Sequence, residues 1–215
     1  MKKYLLLSIL ITFNTSFAFA TSHTPTDIKS STNITADIAL NKILNTAIKH
    51  IVDFQALNEN ISIIEIKQLI KTALMPFLDS KLSTQISLKK HWDKLNNQQK
   101  NTLEQYIITS LIKDYGNILV RFKEFNMIKI NINPKIRTRG NKAIVEINFM
   151  TNEKNKPLMV AAKMIKNKDG IWRIYDIVFS GISLMKNYSS QFNSYIKRKG
   201  FDKFTKKYLT SKGLK

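Results

Sequence analysis

The chain has 215 residues, 43% of them hydrophobic, enough for one core of ordinary size and too apolar for a disordered tail. It has no Cys, which excludes disulfides, a thiolate zinc site, a thiol nucleophile and a lipid-modified N-terminal Cys. Thirty-five Lys and Arg against fifteen Asp and Glu give a formal charge of +20, which draws a protein to anionic membranes and acidic partners.

Met1-Lys2-Lys3 is a short basic start, Tyr4 to Phe13 an apolar run, and Ala18-Phe19-Ala20 a small-x-small site. This pattern predicts a secretory signal peptide over residues 1–20, cleaved after Ala20. The run is too short to span about 30 Å of hydrocarbon. Export argues against a nucleic-acid partner. So does the scarcity of Arg, only Arg121, Arg137, Arg139, Arg173 and Arg198, because phosphate and base readers favour the planar guanidinium fork. Residues 21–36 carry Ser, Thr and Pro25 without a period and read as a flexible leader. Residues 37–212 read as a single domain.

From Asp37 the pattern is helical, with Leu40, Ile43, Leu44, Ala47, Ile48 and Ile51 at i, i+3, i+4 spacing. Ser62 and Glu65 match a capping box ahead of a second stripe, Ile66, Leu69, Ile70, Ala73 and Leu74, which Pro76 ends or bends. Phe77, Leu78, Leu82, Ile86 and Trp92 suit shorter helices. Asn96 and Gln99 open the longest helix, whose wide stripe includes Leu103, Tyr106, Ile107, Leu111, Tyr115, Ile118 and Phe122.

After Lys123 the period changes to 2. Ile128, Ile130 and Ile132 alternate with polar residues, and Arg139-Gly140-Asn141 is a turn. Ala143, Val145, Ile147 and Phe149 form a second strand, and Asn152 to Lys156 a polar loop. Leu158, Val160, Ala162 and Met164 form a third, and Asp169-Gly170 signals a hairpin. Ile171 to Phe179 are the fourth, with Tyr175, Ile177 and Phe179 on one face and Ile174 and Val178 on the other. The strands predict a four-stranded antiparallel meander. Met185, Tyr188, Phe192 and Ile196 return to helical spacing, Gly200 breaks it, and Phe201, Phe204 and Tyr208 follow among lysines. The class is therefore α+β, a twisted sheet packed between N-terminal and C-terminal helices. Lys197 to Lys215 hold eight basic residues against Asp202, which suits either a solvated face or an anionic docking partner.

No Gly-rich phosphate loop, G-x-S-x-G elbow or H-E-x-x-H helix is present. His50 and His91 sit among lysines and apolar residues. Asp176 is the one acid expected to be partly buried, as a hydrogen-bonded structural carboxylate. A catalytic reading would need Asp176 and His91 in a polar cavity. The chemistry leans toward binding without bond making, and the pattern leaves two uses of the sheet open: a closed core, or an apolar cavity between sheet and helices.

Three segments carry a resemblance. The first runs from Leu78-Asp79 through Lys89-Lys90-His91-Trp92 and Asn96 to Lys100, with Tyr106 and Tyr115-Gly116 beyond. The second is Trp172-Arg173-Ile174-Tyr175-Asp176-Ile177, leading to Gly181-Ile182-Ser183-Leu184. The third is Asn187-Tyr188-Ser189-Ser190-Gln191-Phe192, then Ile196 and Gly200-Phe201-Asp202. In this order they resemble the MlaC family, also called the Ttg2 or toluene-tolerance family, over about residues 37–209. Lys89 stands where the family pattern has Gly, and Ser189 where it often has Arg.

The resemblance implies a periplasmic phospholipid carrier, not an enzyme. Such a carrier works between an outer-membrane lipoprotein–porin complex and an inner-membrane MCE-domain ABC transporter, maintaining outer-membrane lipid asymmetry. It implies no cofactor beyond bound phospholipid as cargo, and a monomer. Two alternatives remain: a small exported enzyme on a cone-shaped α+β scaffold, or a secreted cationic module for membranes or nucleic acid. Alternation selects Val145, Ile147, Phe149, Val160, Ala162, Met164, Tyr175, Ile177 and Phe179 as the wall of the lipid cavity, because Glu146, Asn148 and Lys163 occupy the other face. The helices add Leu74, Leu78, Leu111, Tyr115, Leu119 and Met185. Tyr115 and Tyr175 match positions that the family places near the lipid.

Overall fold

The computed structural model describes residues 34–57, 62–121, 129–150 and 157–210, with the backbone alone for Ile63, Ile66, Ile70 and residues 114–121. The signal peptide, most of the leader, Phe122, Ile128, the loop Asn152–Lys156 and the end of the basic tail lie outside the described residues. Helix α1 spans Ala36–Leu57, and its buried residues Ala36, Ala39, Leu40, Ile43, Ala47 and Ile51 recur every three or four positions. That spacing turns one stripe inward, with Ala36, Ala39, Leu40 and Ile43 in the sheet core, and α1 also packs against the next helix.

Helix α2, Ile63–Leu74, starts at the expected capping box: Ser62 Oγ accepts from Glu65 N–H, and the Glu65 carboxylate accepts from Ser62 N–H at 2.8 Å. Ser62→Ala is expected to lower stability by about 1 kcal/mol, read from a denaturant midpoint. Pro76 then turns the chain through a 3-10 segment, Met75–Phe77, because proline cannot supply the next helical N–H. Helix α3, Ser80–Leu88, is capped by Asp79, whose carboxylate accepts from Leu82 N–H. A second 3-10 segment covers Lys89–Lys94, and α4 covers Asn97–Arg121. The opening of α4 is reciprocal, with Asn96 Oδ1 accepting from Gln99 N–H and Gln99 Oε1 from Asn96 N–H.

The α3 helix ends at Lys89, which holds φ 50° and ψ −123°. Only glycine occupies that region without strain, and a side chain there costs about 1–3 kcal/mol.

The sheet contains six strands among the described residues: β1 Lys129–Ile132, β2 Arg137–Arg139, β3 Lys142–Met150, β4 Leu158–Lys166, β5 Trp172–Phe179 and β6 Ile182–Ser183. The four longer ones are the expected meander, antiparallel in the order β1-β3-β4-β5. The strands β2 and β6 are additions. The strand β2 pairs with the start of β3 after a break at Pro134, and β6 folds back on β5 through a two-residue turn. In that turn Ser180 and Gly181 hold φ 49° and 79°, the twin positive values of a tight hairpin. Helix α5, Leu184–Lys199, follows directly. Gly200 ends it at φ 85°, and α6 spans Phe201–Tyr208.

Two cores result. In one, α1 packs on the sheet through Leu40, Ile43, Val145, Ile147, Ala162, Met164, Trp172 and Ile174. The Trp172 indole N–H reaches the Ile34 carbonyl at 2.9 Å and ties the start of the domain to β5. The other core joins α3, α4, α5 and α6 around Leu88, Leu103, Ile107, Tyr188, Phe192, Phe204 and Tyr208. Phe192 and Tyr208 meet edge to face at 5.2 Å, and Ser189 is buried beside them.

One expectation is corrected here. The β4–β5 register shifts between Lys163 and Met164: Lys163 pairs with Asp176, but Met164 pairs with Ile174. Tyr175 is the extra residue of a β-bulge. A bulge interrupts strict alternation, so Ile174, and not Tyr175, shares the core face with Ile177 and Phe179.

Candidate functional site

The bulge frees backbone groups that the ladder would otherwise use. Ile174 C=O accepts from Asp79 N–H at 2.8 Å, and Tyr175 C=O accepts from Ser83 Oγ at 2.7 Å. Leu78 forms an isolated parallel bridge with Ile174. These bonds stitch the segment between α2 and α3 to β5. They set Phe77 and Leu78 against the sheet core.

The core face of the sheet is not uniform. Its middle is closed: Val145, Ala162 and Met164 have no exposed surface and Ile147 only 2%. These expected wall residues are packed by the protein's own side chains, in a core shared by α1, the strands and the Phe77–Leu78 segment. Toward the end of β3 and β5 the packing thins. Phe149, Val160, Ile177 and Phe179 are only half-buried, and the register brings them together: Val160 pairs with Ile147 and Phe179, and Ile177 with Ala162. Ile130 and Ile132 of β1, Leu44 of α1 and Phe77 and Leu78 are half-buried against the same core. Leu111 of α4 is half-buried against the helical core, and Leu74 is half-buried at the end of α2. Ile177 packs on both cores. Half-buried apolar side chains thus remain at the edge of each core.

The remaining expected residues lie elsewhere. Met185, 3% exposed, belongs to the helical core. Tyr175 is half-buried, with Lys142 Nζ 5.8 Å from its ring centroid. Burial, and then the charge of Asp176, raise the pKa of its hydroxyl, so at neutral pH the phenol remains a donor. Tyr115 and Leu119 fall in the last turns of α4, and their side chains lie outside the described residues. Leu44, Phe77, Ile130 and Ile132 are half-buried against the sheet core, although their sequence periods mark them only as apolar faces.

Asp176 is 4% exposed and fully engaged. Its carboxylate accepts from Lys163 Nζ at 2.7 Å, Ser183 Oγ at 2.6 Å and Met185 N–H at 3.1 Å. Ser183 Oγ in turn accepts from Lys186 N–H and caps α5. A carboxylate at a helix N-terminus is favoured by the helix dipole and by charge-assisted hydrogen bonds. His91 instead stacks on Phe201, with ring centroids 5.7 Å apart. Asp176 and His91 therefore do not form the pair that a catalytic reading needed. Among the described residues no cluster of three metal-ligating side chains occurs, and no helix is long and apolar enough to cross a membrane.

Comparison with known proteins places this geometry in context. Residues 44–208 match the family model described as MlaC protein. The toluene tolerance protein Ttg2D of Pseudomonas putida is 26% identical over 130 residues, 60% of this chain. That match spans 58% of the relative's own length. A solved structure, a phospholipid-binding protein from Ralstonia solanacearum in complex with a phospholipid, shares the fold with a TM-score of 0.66. It is 21% identical, and the alignment covers 82% of this chain and 95% of that one.

Proposed function

The chain belongs to the MlaC family, and on that premise we propose that it binds single phospholipids and carries them through water. The supporting observation is that Phe149, Val160, Ile177 and Phe179, at one end of the sheet, are left only half-buried; the acyl site proposed here runs from them to Leu74, Leu78 and Leu111 as a seam between the two cores. Two acyl chains hold on the order of thirty methylenes, and exposing them to water costs roughly 25 kcal/mol in all. A carrier must cover them almost completely, yet match the bilayer closely enough to release them. Smooth apolar walls with few polar anchors meet both demands. A seam that is only loosely packed separates at lower cost than a closed core, and Val145, Ala162 and Met164 behind it keep the sheet rigid while it opens.

The finer proposal places the mature protein in the periplasm after cleavage at Ala20. There it is a monomer that exchanges lipid with an outer-membrane lipoprotein–porin complex and an inner-membrane MCE-domain ABC transporter. It needs no cofactor and performs no bond chemistry. Lipid extraction from protein purified without detergent tests the central claim. Near-stoichiometric phospholipid is the expected result. Lipid-free protein that also fails to take up phospholipid from vesicles overturns the reading.

A further inference from the structure

A surface concavity is formed by residues outside the proposed acyl site. It is a hollow of roughly 600 Å³, open to solvent, between the Lys89–Lys94 segment and the C-terminal half of α5, lined by Lys89, Lys90, His91, Asn193, Ile196 and Lys197. None of these residues belongs to the seam. The volume is that of a small-molecule site, about 300–1,000 Å³, and too large for a bare ion.

Its charge is one-sided. The lining surface is mostly apolar; three exposed lysines from two elements border it with no acid among the lining residues, and none of the three forms an ion pair among the described residues. Like charges gathered around a concave surface repel one another and concentrate counter-ions. Lys89 is held there in a backbone conformation that only glycine adopts freely, so the fold carries strain at the residue that adds a cation to the pocket. Nδ1 of His91 is buried and has no hydrogen-bond partner within the protein. Burial, and then Lys94 and Lys90, lower the His91 pKa, so at neutral pH the ring is uncharged and does not add to the repulsion. The Asn193 amide N–H group is already bonded to the Ser189 carbonyl, which leaves the lysines as the charged donors. Ile196 supplies an apolar wall.

We propose that this pocket binds a phosphate ester: an anionic phosphate among the Lys89, Lys90 and Lys197 ammonium groups, with its organic body against Ile196. Phosphate carries several acceptor oxygens and suits ammonium groups arriving from different directions. The ligand is either a soluble phosphate ester or an anionic phospholipid headgroup at a membrane surface.

The test uses the full mature chain at low ionic strength. Glycerol 3-phosphate is titrated calorimetrically, and vesicles of phosphatidylglycerol in phosphatidylcholine are tested by flotation. Saturable binding of glycerol 3-phosphate, weakened by salt, assigns the soluble ester; binding to the vesicles alone assigns the headgroup. In either case Lys90→Gln with Lys197→Gln is expected to weaken binding at least tenfold. The control pair Lys168→Gln with Lys186→Gln removes equal charge elsewhere and leaves binding intact. Lys89→Gly is expected to weaken binding without lowering the melting midpoint, because glycine relieves the strained backbone. Binding of neither probe overturns the proposal, and so does an equal loss in the control pair. Extracted lipid is measured on the same variants and stays unchanged, which keeps this outcome separate from the carrier reading.

Discussion

Val160→Arg is expected to abolish phospholipid co-purification, from near one lipid per chain to less than a tenth, while leaving a folded protein. Val160 sits at the start of β4, paired with Ile147 and Phe179, where the core face passes from closed to half-buried. An arginine there places a cation against the proposed acyl site, and desolvating that charge costs several kcal/mol, enough to lower affinity by about a hundredfold or more. Because Val160 is only half-buried, the long side chain reaches water in the lipid-free state and the fold survives. Val160→Leu keeps the wall apolar and is expected to retain lipid. Circular dichroism confirms the fold, and mass spectrometry of the extract reads the lipid. Retained lipid in a folded Val160→Arg protein removes Val160 from the wall.

Asp176→Ala is expected to cause the largest loss of stability, about 3–5 kcal/mol. The substitution leaves Lys163 without its partner, Ser183 Oγ without its acceptor and Met185 N–H unbonded. The Lys163 side chain is 19% exposed and that of Asp176 only 2%, so water restores little of what is lost. Breaking a buried pair costs more than the pair contributes, because the remaining charge stays in place. For a chain of this size the melting temperature falls by about 10 °C. Lys163→Met is expected to cost less, since the carboxylate keeps Ser183 and Met185 as donors. Thermal unfolding followed by circular dichroism reads both. A fall of less than about 3 °C for Asp176→Ala means that the network does not hold β5, β6 and α5 together.

The face that most strand residues take is legible in the sequence. Alternation placed Phe149, Val160, Ile177 and Phe179 on one face, and the structure keeps all four there, half-buried. It also selects Val145, Ala162 and Met164, which are fully buried in the sheet core. Period 2 identifies the face a residue takes, but the depth of packing on that face depends on which helix crosses it. Tyr175 was misplaced because a bulge adds one residue that no hydropathy pattern records. Asp176 was recognised as a structural carboxylate from its place in an apolar strand, but its partners lie 13, 7 and 9 positions away and come together only after β4, β5 and α5 have packed.

The sequence alone determined the helices, their caps at Ser62 and Asn96, the hairpin at Asp169-Gly170, the break at Gly200 and the meander of the four longer strands. Each depends on a backbone repeat or a short-range hydrogen bond, which a few neighbouring residues specify. Only the tertiary structure decided which apolar residues are closed core and which stay half-buried, where β5 slips past β4, and how Lys89, Lys90 and Lys197 come to border one concavity. Those outcomes depend on contacts between segments far apart in the chain, and no local period encodes them.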